Sequence, residues 1–224
     1  MTSYARYALY YLPPEGALAE FGARWLGWDA QAGVEAPLYD LDGLDAMTAG
    51  PRKYGFHATL KPPFRLALGR SQADLEAAIA ELAGRTAQAR ADGLKLARLG
   101  RFLALVADGD STGIDRIAAA CVTDLDAFRA PMDVAERARR QLPHLTAHQQ
   151  ELLARWGYPQ VLDAFRFHMT LTGRLNKSDL ARAEAALPTH LPDLPAPFVL
   201  DAVTLLGERP DGRFERIARF LLTA

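Results

Sequence analysis

The chain has little of several things that would give it an easy assignment. It has 224 residues and a single cysteine, Cys121. That excludes a disulfide framework and suits a reducing compartment. The flanking Ala-rich run reads as a helix that buries the thiol as a small apolar side chain. No charge of one sign dominates: 26 basic residues face 27 acidic ones. Composition therefore announces no broad surface for long nucleic acid. No stretch reaches the apolar length of a membrane span, and residues 1–14 lack the apolar core of a signal peptide. A cytoplasmic, soluble protein is the expectation, with a small molecule as its partner. About half the residues are hydrophobic, enough for one domain over 1–224 or two lobes with a shared core.

What the chain does contain, it contains twice. Tyr54-Gly55-Phe56-His57-Ala58-Thr59-Leu60-Lys61 is echoed by Phe165-Arg166-Phe167-His168-Met169-Thr170-Leu171-Thr172. Both stretches read as strands, along which side chains alternate between faces. His57 and Thr59 then share one face, as do His168 and Thr170. Phe56, Ala58 and Leu60, and Phe167, Met169 and Leu171, point the other way into a core. By the same parity Lys61 joins the His57 face and Arg166 the His168 face. Tyr54 and Arg6 are candidates for the rim.

The remaining elements repeat in order. Strands are expected over 4–12, 94–99, 102–107, 199–206 and 214–222, the last two a hairpin turned at Pro210-Asp211-Gly212. The second histidine strand runs about 164–173, and the first ends near Pro62-Pro63. Helices are expected over 15–27, from the N-cap Ser71 to about 91, over 112–128 and over 177–187. A long loop with one helical turn spans 29–50. A polar, mostly helical insert spans 131–157, a candidate lid. The layout is a duplicated β-α-β-α-β chain. Its repeats cover about 1–100 and 101–224, related by a pseudo-two-fold, and each gives one histidine strand to a shared central groove. Trp25, Trp28 and Trp156 read as packing residues, and His144, His148 and His190 as surface ones.

Two imidazoles across a groove suit acid–base chemistry. One takes a proton from a nucleophile and the other gives one to a leaving group, because histidine titrates near neutrality. The hydroxyls of Thr59 and Thr170 suit the oxygens of an anion between them. A metal centre is disfavoured, since no Asp, Glu or Cys sits at ligand spacing near the motifs. No cofactor is expected.

The doubled His-x-Thr-Leu pattern resembles the two-histidine (2H) phosphoesterase superfamily, which includes the LigT-like bacterial RNA ligase-like and cyclic phosphodiesterase proteins. The flanks Arg52-Lys53-Tyr54-Gly55-Phe56 and Arg155-Trp156-Gly157-Tyr158-Pro159 are similar to its branch associated with phosphonate-utilisation operons. The resemblance implies a duplicated, bilobal fold of α+β class whose antiparallel sheet curls around the central groove, and metal-independent hydrolysis of a small cyclic or 2′,5′-linked phosphodiester. His57 and His168 would be the catalytic pair, and Thr59, Thr170, Lys61 and Arg166 would hold phosphate. The insert departs from the minimal pattern. The alternative reading is a non-catalytic nucleotide- or RNA-binding module on the same scaffold.

Overall fold

A computed structural model describes residues 4–140 and 145–224. In chain order the elements are β1 (Tyr7–Tyr11), α1 (Ala17–Leu26), the short pair β2 (Trp28–Asp29) and β3 (Val34–Glu35), α2 (Leu44–Arg52), β4 (Ala58–Phe64), α3 (Gln72–Gly84), β5 (Ala89–Ala91), β6 (Gly93–Leu99), β7 (Phe102–Asp108), α4 (Thr112–Thr123), α5 (Val134–Arg140), α6 (Ala147–Trp156), β8 (His168–Thr170), α7 (Lys177–His190), β9 (Phe198–Leu200), β10 (Ala202–Glu208) and β11 (Phe214–Leu221). Seven strands form one sheet in the order β11-β10-β1-β4-β8-β7-β6. Every neighbouring pair is antiparallel.

The two histidine strands are adjacent at the middle of this sheet. Ala58 of β4 pairs with Met169 of β8. In an antiparallel pair the residues flanking such a match also oppose one another. His57 therefore sits across from Thr170, and Thr59 across from His168. A pseudo-two-fold passes between the middle residues of the two motifs.

The groups of strands on either side of that axis do not coincide with the halves of the chain. β6 pairs with β7 from the second half, and β10 from the second half pairs with β1.

One face of the sheet carries the main core. Tyr7, Leu9, Tyr11, Ala58, Leu60, Phe64, Leu103, Leu105 and Met169 pack there against Phe21 and Trp25 of α1, Leu75 and Ile79 of α3, Ile114 and Ile117 of α4 and Leu180 and Leu187 of α7. Burial of that much apolar surface is the main driving force for the fold. Local chemistry places the helix starts. Ser71 and Thr146 form reciprocal capping boxes with Asp74 and Gln149, and Asn176 accepts from the Asp179 amide. Cys121 is fully buried in this core, where burial pushes its thiol pKa up to about 12.

The opposite face is covered over only part of its area. Ala8 and Tyr10 of β1 and Leu12 just after it, with Leu206 and Phe214, pack against Trp28 and Ala30. The rest is open.

The structure corrects several expected bounds. The helix that starts after Ser71 stops at Gly84, and Ala89–Ala91 is a strand paired with Phe198–Leu200. Ala-Arg-Ala is not a strong strand former alone; its pairing with Phe198-Val199-Leu200 decides. β4 runs through Pro62-Pro63 to Phe64. Its pairing with β8 is confined to Ala58, so the later residues form an edge where a missing N–H costs little. The second histidine strand is only His168–Thr170. Helix α7 continues through Pro188 to His190. Trp25 and Trp28 are buried, as expected. His190 is half-buried rather than a surface residue, its ring 4.8 Å from Tyr39 and 5.7 Å from Trp25. His148 is exposed and bonds Asp163 at 2.8 Å. His144 lies outside the described residues. No helix among the described residues is long and apolar enough to cross a membrane.

Candidate active site

A groove of about 510 Å³ opens on the uncovered face, lined by His57, Thr59, His168 and Thr170 together with Arg6, Tyr10, Tyr54, Pro62, Pro63, Phe102, Tyr158, Thr172 and Arg174 among others. The pattern of the doubled motif explains this. Ala58 and Met169 are fully buried on the helix side, so their neighbours must emerge on the other.

The two histidines are held in the same way. His57 Nδ1 lies 2.9 Å from the Gly55 carbonyl, and His168 Nδ1 lies 2.8 Å from the Arg166 carbonyl. A carbonyl oxygen only accepts, so Nδ1 carries the hydrogen in both rings and Nε2 carries the lone pair of the neutral form. The backbone two residues upstream thus selects one tautomer on each strand.

Gly55 adopts φ +73° to present its carbonyl, and a side chain there would also collide with Ala30, at 2.5 Å from its Cβ. Only glycine meets both demands cheaply. The next residue, Phe56, is wedged against Gly22 of α1, where an added Cβ would come within 2.1 Å of its ring. Trp25 of the same helix donates its indole N–H to the Leu171 carbonyl at 2.9 Å. One helix therefore fixes both motifs.

The surroundings of the two rings differ. His57 stacks on Tyr10 at 3.7 Å between centroids, with planes 21° apart. Its Nε2 lies 3.0 Å from the Thr59 hydroxyl, which donates to the lone pair. Burial pushes its pKa down to about 4; repulsion from His168 adds to the shift, and the Gly55 carbonyl opposes it. His168 has Phe102 at 6.0 Å as its aromatic neighbour.

Two of the expected phosphate ligands are not at the groove. Lys61 is 2% exposed and points to the helix side. There its Nζ donates to the Val122 carbonyl at 2.9 Å and lies 3.8 Å from Asp126. Strand parity fails because β4 is bulged. Tyr10 pairs with Thr59 and Leu9 with Lys61, so β1 advances one residue while β4 advances two. Leu60 and Lys61 are consequently both buried. Burial lowers the Lys61 pKa to about 8, against the opposing pull of Asp126.

Arg166 lies before β8 begins, so alternation does not govern it. Its guanidinium donates to the carbonyls of Asp163 and Phe165, and it is absent from the groove wall. Arg6 and Tyr54 do line the groove. Arg6, however, is engaged by Glu208 through two hydrogen bonds, which raise its pKa further.

Sequence reasoning missed Tyr10, Phe102, Tyr158, Thr172 and Arg174. Thr172 and Arg174 lie past Thr170, where β8 has ended, so strand alternation does not place them. Thr172 is also structural: its hydroxyl accepts from the Leu103 amide at 3.0 Å. Among the described residues no group of three or more His, Cys, Asp or Glu is placed to hold a metal ion.

Residues 59–215 match the family model described as Protein of unknown function (DUF1045). The chain belongs to that family. The stretch matched by the DUF1045 model holds Thr59, His168 and Thr170, and His57 lies just before it. Two curated relatives are both called Ribose 1,5-bisphosphate phosphokinase PhnN. That of Janthinobacterium sp. (strain Marseille) is 35% identical over 221 residues, covering 94% of this chain and 49% of the relative. That of Laribacter hongkongensis (strain HLHK9) is 37% identical over 190 residues, covering 80% and 44%. The chain spans about half the length of the curated relatives it matches. Among solved structures, it is similar to E.coli LigT complexed with 3'-AMP, at 17% identity over 98% of both chains with a TM-score of 0.45. It is also similar to TT0787 of Thermus thermophilus, at 17% identity over 97% of both with a TM-score of 0.47. Likeness at that level does not by itself establish a shared activity.

Proposed function

We propose that the groove is the active site of a 2H-type phosphoesterase that opens a small cyclic phosphodiester by paired-histidine acid–base catalysis. The observation that carries this reading is the arrangement at the two-fold: two imidazoles on one sheet face, each with its Nδ1 hydrogen fixed on a carbonyl, each opposed across the strands by a threonine.

The low pKa of His57 suits it to the role of base. Its Nε2 takes a proton from water, and the water oxygen attacks phosphorus. The bond from phosphorus to the departing ring oxygen breaks, and His168, protonated at both nitrogens, gives its Nε2 proton to that oxygen. The product is a phosphomonoester beside a free hydroxyl, and solvent resets the two rings. Thr59 and Thr170 donate to the non-bridging oxygens, where charge builds in the transition state. The Thr59 hydroxyl must then exchange its bond to His57 for one to phosphate. Mutual repulsion between the rings favours a pair that carries a single positive charge, the state this cycle needs.

The relatives' name supplies a substrate class. Those proteins are called kinases of ribose 1,5-bisphosphate. A 1,2-cyclic phosphate of ribose 5-phosphate, opened at O2, gives that compound. A sugar ring of this kind, in phosphonate breakdown, is the reading we favour over a nucleoside 2′,3′-cyclic phosphate.

The test offers both classes to the purified protein in EDTA, beside His57→Ala and His168→Ala. Turnover by the wild type and its loss in each variant is expected. Turnover that needs added metal, or survives either substitution, sinks the mechanism. Salt-sensitive binding without turnover would favour a binding module instead.

A further inference from the structure

The groove is larger than a five-membered cyclic phosphate requires, and its second guanidinium is unspent. Arg6 is held by Glu208 through two bonds. Arg174 lines the same groove, is exposed, and has no hydrogen bond, ion pair or ring contact among the described residues. It also lines a second cavity of about 390 Å³, whose wall holds Arg101, Arg174 and Arg182 against one carboxylate, Asp179. Asp179 is already committed to Arg182 and to the Asn176 side chain. Asp42, outside that wall, shares Arg182. Arg101 uses its Nε on the Leu175 carbonyl at 3.1 Å. The region where groove and cavity meet at Arg174 thus carries uncompensated positive charge, and Arg174 follows Thr170 by four residues.

We propose that Arg174 is a specificity-determining residue that holds a second anionic group of the substrate, a phosphomonoester, where the groove meets this cavity, with Arg101 behind it. An unpaired guanidinium in a cavity is a ready partner for phosphate, since its planar fork offers two parallel donors to two oxygens. The reacting diester stays between the histidines, and the distal phosphate sets register. This rests on the phosphoesterase reading of the groove.

The experiment compares ribose 1,2-cyclic phosphate with and without a phosphate on C5, using wild type, Arg174→Met and Arg174→Lys. A charge-assisted phosphate contact corresponds to about 10- to 100-fold in kcat/KM. The wild type should prefer the phosphorylated ring by that factor. Arg174→Met should abolish the preference, chiefly through KM, while leaving the unphosphorylated ring within about twofold; Arg174→Lys should restore part of it. Inorganic phosphate should inhibit the wild type more strongly than Arg174→Met. Arg174 is exposed, and a thermal melt checks that its variants fold. Equal losses on both rings, or a wild type indifferent to the C5 phosphate, overturns the inference alone. A wild type that opens neither ring overturns the reading of the groove as well.

Discussion

The two halves of the site share a backbone device and differ in everything around it. Each histidine hangs its Nδ1 hydrogen on the carbonyl two residues upstream. Yet His57 is stacked under Tyr10 and bonded by Thr59, while the aromatic neighbour of His168 among the described residues is the Phe102 ring at 6.0 Å. Symmetry of the main chain supplies two equivalent reactive nitrogens. Asymmetry of the packing pushes His57 toward the neutral form, which under the proposed mechanism makes it the base.

The strongest way to break this comparison is to delete each ring in turn. His57→Ala and His168→Ala should each lower kcat by about 10²- to 10⁴-fold, and the double variant should be little worse than either, because the pair acts as a unit. Their pH profiles should differ in kind. The acid limb of the wild type should fall near pH 4, set by His57, well below the ordinary histidine value. Because His57 binds fewer protons folded than unfolded between about pH 4 and 6.5, stability should rise with pH across that window and be flat for this group above it. His57→Ala should flatten the rise in a urea titration series.

Smaller effects sharpen the contrast. Thr59→Val and Thr170→Val should each cost about 10-fold or more in kcat, and only Thr59→Val should also disturb His57, seen as a changed imidazole titration by NMR. Tyr10→Leu removes the stacked ring and admits water, so the His57 pKa should climb from about 4 toward the unperturbed histidine value. A pKa that stays put would move the cause from Tyr10 to the remaining walls.

The smallest effect on turnover is expected from Lys61→Met, within about threefold in kcat/KM, since the ammonium lies on the far side of the sheet. Its signature belongs in stability. The wild-type lysine titrates near 8 when folded and near 10.5 when unfolded, so the unfolded chain binds more protons in between and stability should rise with pH there. The variant should lose that rise.

Much of this was legible in the chain because the period of a strand is two. The doubled motif placed His57, Thr59, His168 and Thr170 on one face, and the sheet keeps them there. The same rule misplaced Lys61, because one extra residue in β4 turns the lysine to the helix side. It misplaced Arg166 because β8 starts only at His168. Register shifts and strand ends are decided by partners far away in sequence, which a local pattern does not encode. Ala89–Ala91 is the same lesson: nothing in Ala-Arg-Ala asks for a strand until Phe198–Leu200 arrives beside it. Arg6 was visible as a groove cation, but only Glu208 across the sheet shows it to be spent.

The exchange of strands between the two sides of the sheet bears on how the protein is made. β1 pairs with β4 of its own half but gains its second neighbour only from β10, and β6 is paired only once β7 is made. A ribosome that has released only the first half has delivered His57 without the strand that carries its counterpart. The groove that faces both rings is therefore complete only once the second motif and its strand have been synthesised, which places the assembly of the two-fold late in translation.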